Sequence, residues 1–307
     1  MNSPNHSRGF VTIATGKEEY YVLAYNLLLS YRFHNKKPLP FAIICDRENK
    51  YTTHFDDVIL IGNPSFSYRD KFRLLDNTPY VETIYLDADS LVYRDLNGLW
   101  DIVKHSPDFG IFGYLIDPEG TEGRREIGRF NRFPWPINFV CLSQGGLHFI
   151  RKTPRLSSFL SFCEQIVNRH EEIFEFAELP GSDGVFPLAC SAFNWPPVAP
   201  WYEIFCFYRE SDINSLDIRK GEMDYVWRIK RIKLGQDCFF VHFGLKATRG
   251  WIYNREVYRL SCALNHKRTN AFVLIRLWLK CKYSDLKRVM PNRFKTLAYK
   301  IIRLIAS

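Results

Sequence analysis

The chain has 307 residues, 46% hydrophobic and 24% charged, which supplies a substantial core and excludes a disordered chain. The net charge of +9 sits wholly in Cys262 to Ser307, where eleven Lys or Arg face one acid, Asp285; residues 1–261 hold 31 bases and 32 acids, a balance that argues against a nucleic-acid-binding core. Eight cysteines form no CxxC pair, Met1 to Gly9 is polar, and no apolar run approaches about 20 residues, so a zinc site, a signal peptide and a membrane span are not expected, and a reducing, cytosolic setting is.

Phe10 to Ala14 reads as a short strand ending at Thr15-Gly16. A helix follows, with Tyr21, Ala24, Tyr25, Leu28 and Leu29 at helical spacing. Pro40 to Cys45 is a buried-type strand ending at Asp46, and Val58 to Ile61 a third. Lys71 to Leu75 reads as helix, and Thr83 to Leu86 as a fourth strand with Asp87-Ala88-Asp89 at its end. Apolar strands alternating with helices predict an α/β fold with a mainly parallel sheet covered on both faces. Ligands of such sheets bind beyond the carboxyl ends of strands, where Thr15, Asp46 and Asp87 fall.

Asp117 to Pro136 reads as a surface loop. Two strands, Phe139 to Leu142 and Leu147 to Ile150, are expected to flank Gln144-Gly145-Gly146, with a helix or two over 155–178. Asn194 to Pro200 holds three prolines and reads as a loop, and Cys238 to Phe243 as another strand.

Asp87 and Asp89 stand one residue apart between the apolar runs Ile84 to Leu86 and Ser90 to Val92. Carboxylates so placed risk costly desolvation and need a partner. They can share a divalent ion, and hard oxygen ligands suit Mn²⁺ or Mg²⁺. The tripeptide alone is more often the start of a polar loop.

The segment PYVETIYLDADSLVYRDLNGLW, Pro79 to Trp100, resembles the DxD block of retaining family 8 glycosyltransferases, the glycogenin-like and bacterial lipooligosaccharide galactosyltransferase-like enzymes. Other blocks agree in order. Val11 to Arg32, VTIATGKEEYYVLAYNLLLSYR, is similar to the family's nucleotide block, which implies nucleotide-sugar contacts at Ala14, Thr15, Gly16 and Tyr20. Asp70 to Tyr80 resembles the segment whose Lys approaches phosphates and sugar, here Lys71. Ser143 to Lys152 is similar to the Asn-x-Gly strand block, with Gln144 in place of Asn. Gly181 to Ala189 resembles the Asp-Gln segment, with Gly184 in place of Gln. Val241 to Trp251, VHFGLKATRGW, resembles the terminal His-x-x-Gly-x-x-Lys-Pro-Trp block; it is one residue longer and ends Arg249-Gly250-Trp251.

The resemblance covers residues 9–255 and implies a GT-A nucleotide-diphospho-sugar transferase fold. It implies transfer of a hexose from a UDP-sugar, with retention, to a hydroxyl of a cell-envelope glycan or glycolipid. His242 becomes the third metal ligand beside Asp87 and Asp89; alone it would read as a core histidine. Ala88, Gly244 and either Lys246 or Arg249 join the donor site. Asp183 and Gln144 are the candidate groups beside the reacting sugar, although Asp183 also suits an N-cap of a helix over Val185 to Ser191 and Tyr20 a core position. A GT-A-like protein without turnover and a nucleotidyltransferase are the alternatives; the latter calls for a Gly-rich phosphate loop that Gly16 alone does not supply.

Residues 256–307 read as a separate basic helical tail. Phe294, Leu297, Ala298, Ile301, Ile302 and Ile305 fall on one helix face with Arg293, Lys295, Lys300 and Arg303 around it, and Asn270 to Lys282 is a rougher amphipathic stretch with Trp278. Such helices lie in the headgroup plane of anionic membranes. The expected location is cytoplasmic, peripheral on the inner face of the membrane; the alternative is a helix packed on the catalytic domain.

Overall fold

Strand β1 (Arg8–Ala14) lies near the middle of a six-stranded sheet and pairs in parallel with β2 (Phe41–Cys45) on one side and β4 (Glu82–Leu86) on the other. β3 (Asp57–Leu60) continues the parallel array beyond β2. Past β4 the sheet turns antiparallel, through β7 (Val140–Arg151) and then β6 (Phe109–Ile116), giving the order β3-β2-β1-β4-β7-β6. The computed structural model describes residues 7–67, 69–74, 77–123, 132–174, 181–227, 232–234 and 237–289.

The sheet is buried on both faces, which is why β1 and β2 read as near-continuous apolar runs. Side chains alternate between the faces. Phe10, Ile43, Cys45, Ile84 and Leu86 pack with α1 (Glu18–His34), which contributes Tyr21, Ala24, Leu28 and Tyr31 at three- and four-residue spacing. Val11, Ala42, Ile44 and Tyr85 point the other way, into a second cluster with α3 (Pro154–Asn168) and α4 (Ser182–Ala192). The short α2 (Asp70–Leu74) lies between α1 and α3 in sequence. α3 starts where its sequence says it should: Pro154 opens the helix, and the Thr153 hydroxyl accepts from the Leu156 N–H at 3.1 Å.

The chain runs from β1 out to β2 and β3, then returns to β4 on the opposite side of β1. The carboxyl ends of β1 and β4 therefore flank a topological switch point, where open α/β sheets hold their ligands. A small sheet of order β5-β12-β8 closes over that end: β5 (Ser90–Val92) follows the DxD turn, β12 (Phe240–His242) pairs with it antiparallel, and β8 (Phe205–Phe207) pairs with β12 in parallel. A further antiparallel trio holds β9 (Ile213–Asp217), β10 (Glu222–Trp227) and β11 (Ile232–Leu234).

Three features differ from the sequence reading. Gln144-Gly145-Gly146 does not separate two strands; it lies inside the single strand β7, whose pairing with β6 shifts register between Ile111 and Gly113. Gly181, not Asp183, caps α4, so Asp183 is a first-turn acid. Residue 255 falls inside α5 (Trp251–Leu264), a helix that buries Tyr253, Glu256 and Leu260 in the core. Glu256 accepts from the Ile218 N–H at 2.8 Å and pairs with Arg255 and Arg259 at 2.8 and 2.9 Å. The chain thus leaves the core after α5, not at 255. Beyond it α6 (Ala271–Val289) packs on α5 and contains the amphipathic stretch; the helix expected over 294–305 lies outside the described residues. Among the described residues no helix is long and apolar enough to cross a membrane.

Candidate functional site

Asp87, Asp89 and His242 meet at the switch point, with one ligand atom of each within 4.8 Å of the others. The meeting is a product of strand pairing. β12 is in register with β5 so that His242 stands opposite Ser90, the residue after Asp89. The turn closes through Ser90 N–H to the Asp87 carbonyl at 3.1 Å, and the Phe243 N–H donates to the Asp89 carbonyl at 3.1 Å. His242 Nε2 lies 3.1 Å from Asp89 Oδ1 and 3.6 Å from Asp87 Oδ2. Burial works against a proton on His242, but Asp89 and then Asp87 outweigh it and hold the imidazole above its ordinary value. Burial likewise pushes the Asp89 carboxyl up, and the facing imidazole more than offsets it, so its net shift is downward.

Behind this cluster Tyr85 donates its phenol hydrogen to Asp87 Oδ1. Burial, then the Asp87 charge, pushes the Tyr85 hydroxyl far up and keeps it a donor. Lys71 Nζ sits 2.6 Å from the same Asp87 oxygen and 3.3 Å from the Gly145 carbonyl. Gly146 accepts from the Asp87 N–H at 3.1 Å. A carboxylate held by a phenol, an ammonium and its own backbone is fixed before any ligand arrives.

A cavity of about 300 Å³ opens in front, lined by Ile13, Thr15, Tyr20, Leu23, Phe66, Ser67, Asp70, Lys71, Tyr85, Asp87, Ala88, Asp89 and Leu245. Of the residues anticipated from sequence, Thr15, Tyr20, Lys71, Asp87, Ala88 and Asp89 line it. Ala14 is buried beneath it. Gly16 takes φ +79°, a conformation that favours glycine, and its N–H donates to Asp46 Oδ1 at 2.8 Å. Asp46 also accepts from the Tyr21 hydroxyl and from Arg47 at 2.8 Å, so this strand-end acid braces the loop after β1. Gly244 has φ +74° and turns the chain after His242.

Neither Lys246 nor Arg249 lines the cavity; both are exposed. Arg249 instead donates from Nε and Nη2 to the two Glu19 oxygens at 2.8 Å each. Gln144 is half-buried on β7, next to the Gly145 carbonyl that Lys71 touches. Asp183 faces the charges of Lys71, Asp87 and His242 from the start of α4. Surrounding protein pushes its carboxyl up, with Lys71 the first group opposing; the exposure of the side chain limits that push.

Tyr85, Gly146, Phe66 and Asp70 were not singled out from sequence. Tyr85 stands two residues before Asp87, the strand period that puts side chains on one face. A glycine inside a strand marks close approach of other groups, and Gly146 lies against the His242 ring. Phe66 sits in a loop with no periodic signal, and Asp70 opens the short α2.

No family model matches the chain, and no curated protein sequence matches it. Solved structures do. The galactosyltransferase LgtC, in complex with donor and acceptor sugar analogs, is similar over 85% of this chain and 97% of its own, with TM-score 0.52 and 12% identity. The bifunctional glycosyltransferase WbbM, in its apo structure, is similar over 85% of this chain and 51% of its own, with TM-score 0.51 and 8% identity. At such identities the likeness is one of fold, and the chain has the GT-A fold of these glycosyltransferases.

Proposed function

We propose that the chain is a metal-dependent glycosyltransferase that moves a hexose from a UDP-sugar to a hydroxyl of a cell-envelope glycan or glycolipid, with retention of configuration. The observation that carries this reading is the convergence of Asp87, Asp89, His242 and Lys71 at the switch-point cleft of a GT-A fold. The donor set fits a divalent ion. Two carboxylates and one imidazole approach from adjoining strand ends, and Asp87 keeps Oδ2 turned to His242 while Oδ1 takes Tyr85 and Lys71. Such oxygen-rich sets suit Mn²⁺ or Mg²⁺. An ion held there would supply Lewis-acid stabilisation to a departing diphosphate.

The chain's own groups supply the rest. Lys71 brings a positive charge to the cavity wall beside the carboxylates, placed for the same diphosphate. Tyr85 keeps Asp87 in one orientation. Asp183 and Gln144, outside the lining of the cavity, are the candidates to face the sugar, where positive charge develops at the anomeric carbon as the glycosidic bond breaks. Retention rests on the resemblance to family 8. A GT-A-like protein without turnover is disfavoured by the intact acid-acid-histidine set, and a nucleotidyltransferase by the loop after β1, where Gly16 stands alone.

We also propose a peripheral location on the inner, anionic face of the cytoplasmic membrane, without nucleic acid as partner. Its support is α6, where Phe272, Ile275 and Trp278 are exposed beside Arg276, Lys280 and Lys282.

The test is a screen of UDP- and GDP-sugars with Mn²⁺, reading released nucleoside diphosphate. Release from a UDP-hexose that stops on chelation and in Asp89→Ala is the expected result. Absence of release and of nucleotide binding across the panel, in folded protein with Mn²⁺ present, would overturn the reading.

A further inference from the structure

Phe66 is placed where its chemistry does not suit the protein's own core. The residue is 61% exposed, and its backbone takes φ +53°, which non-glycine residues rarely adopt. Burial would favour the ring and an extended backbone would relax the strain, yet the chain holds it in neither state. Two buttresses keep it there. At the start of α2, Asp70, almost fully buried, accepts from the Ser65 N–H and Ser65 hydroxyl at 2.6 Å each and from the Thr15 hydroxyl at 3.4 Å, which ties the loop before it. Across from it, the ring rests on Gly16, where a Cβ would stand 3.0 Å from Phe66 Cδ1. Gly16 is in turn pinned by Asp46 and Arg47. An exposed aromatic ring supported from both sides forms one wall of the cavity that Tyr20 and Leu23 also line.

The place of the ring in the cavity fixes what it can meet. Lys71, Asp87 and Asp89 bring the charge to this cavity, and Thr15, Tyr20 and Phe66 line it outside the carboxyl end of β1. A nucleoside diphosphate whose phosphates lie by Lys71 must place its base along the same lining, where Phe66 offers an exposed ring. A flat π-face beside an apolar side chain is what a base stacks on, with little preference among bases because each has such a face. Resting on the donor reading above, we propose that Phe66 is the stacking wall for the donor's nucleobase. It supplies affinity for the base, not discrimination between bases.

The test measures the affinity of the full chain for UDP, ADP, GDP and CDP, and for inorganic pyrophosphate, all with Mn²⁺. Phe66→Gly is the decisive variant: glycine adopts positive φ freely, so the loop keeps its course without the ring. Loss of about tenfold or more for nucleoside diphosphates, with pyrophosphate affinity unchanged, is expected in Phe66→Gly and Phe66→Ala. Phe66→Trp should stay within about threefold of wild type, because it keeps a π-face. A Phe66→Gly protein that binds UDP as wild type does, or that loses pyrophosphate equally, overturns the assignment while leaving the donor reading standing. Wild-type protein that binds Mn²⁺-pyrophosphate but no nucleoside diphosphate overturns both.

Discussion

Gly146 presents a bare Cα to the imidazole of His242, so close that a Cβ there would stand 2.5 Å from Nδ1 and 2.9 Å from Cγ. Nδ1 is buried with no hydrogen-bond partner. The ring is therefore aimed by packing, against Gly146 on one side and edge-on to Phe207 at 5.4 Å on another. Metal-binding histidines usually have their second nitrogen held by a hydrogen bond, and losing that support costs about 10–100-fold in affinity. Gly146→Ala should do comparable damage by pushing the ring off Asp89. A Mn²⁺ titration followed by electron paramagnetic resonance reads the loss directly, alongside a thermal melt of the metal-free protein, where overpacking of about 1–3 kcal/mol lowers the midpoint without unfolding the chain. Wild-type Mn²⁺ affinity in Gly146→Ala would mean that His242 does not bind the ion.

Lys71 and Arg249 make opposite predictions from one geometry. Lys71 lines the cavity and touches Asp87; Arg249 is spent on a two-bond fork with Glu19 outside the lining. Hydrogen bonds to charged groups are worth about 1.5–3 kcal/mol, more than tenfold in affinity. Lys71→Ala should accordingly weaken UDP binding by about tenfold or more, and Arg249→Ala by no more than about threefold. Calorimetry on both variants decides it. Equal losses would show that the Glu19 fork opens for the donor and that Arg249 reaches the diphosphate.

His148 carries a pH signature. It stacks on Tyr85 at 5.8 Å and Phe109 at 5.3 Å, with Phe186 edge-on at 4.8 Å. Burial, then Lys71, pushes its pKa down to about 3. In the unfolded chain the imidazole titrates at its ordinary value, near 6.5. Between those values the unfolded chain takes a proton that the folded protein refuses. Stability is thus fully present above pH 6.5 and falls as pH drops toward 3, by up to roughly 1.4 kcal/mol per pH unit. His148→Phe removes that contribution. Urea unfolding at pH 7.5 and pH 4.5 should show a smaller acid loss in the variant than in wild type. An identical loss in both would mean that His148 is not held neutral in the folded protein.

The parallel half of the sheet was legible because β1, β2 and β4 are buried on both faces and so carry runs of apolar residues, unbroken in β2 and broken only by threonine and the charged strand starts in β1 and β4, and because the DxD pair follows one of them. β6 escaped notice: Gly110 and Gly113 interrupt its run, and its pairing shifts register at Ile111. Strands of three residues, such as β8 and β11, are too short to carry a period. The metal set was legible only through the resemblance, since nothing local to His242 says that β12 will lie beside β5. Tyr85 and Gly146 were invisible for the same reason: their roles come from strand register, not from neighbours in sequence. The tail boundary was set where the resemblance ends, just ahead of the basic excess, whereas the core continues through α5 in buried Tyr253 and Leu260, which neither signal reports.

That boundary determines how membrane attachment must be tested. Truncation after residue 255 would cut α5, expose Tyr253 and remove Glu256 and Leu260 from the core, so its outcome would read misfolding. Truncation after residue 269 leaves α5 whole and removes α6 with all that follows. On α6, Phe272, Ile275 and Trp278 are 76%, 53% and 44% exposed, at spacing that puts them on one side of the helix, with Arg276, Lys280 and Lys282 exposed among them. Attraction between such bases and anionic headgroups is screened over about 8–10 Å at physiological salt, whereas burial of the apolar side chains is not. The full chain should therefore co-sediment with phosphatidylglycerol vesicles at low salt and less at high salt. The residual high-salt fraction should vanish when Phe272, Ile275 and Trp278 are all replaced by Ser, and the chain truncated after 269 should stay in the supernatant throughout. If the truncated chain sediments as well as the full one, the tail is not the anchor. If neither sediments but the full chain shifts DNA in a gel, the basic surface serves nucleic acid and the membrane reading falls.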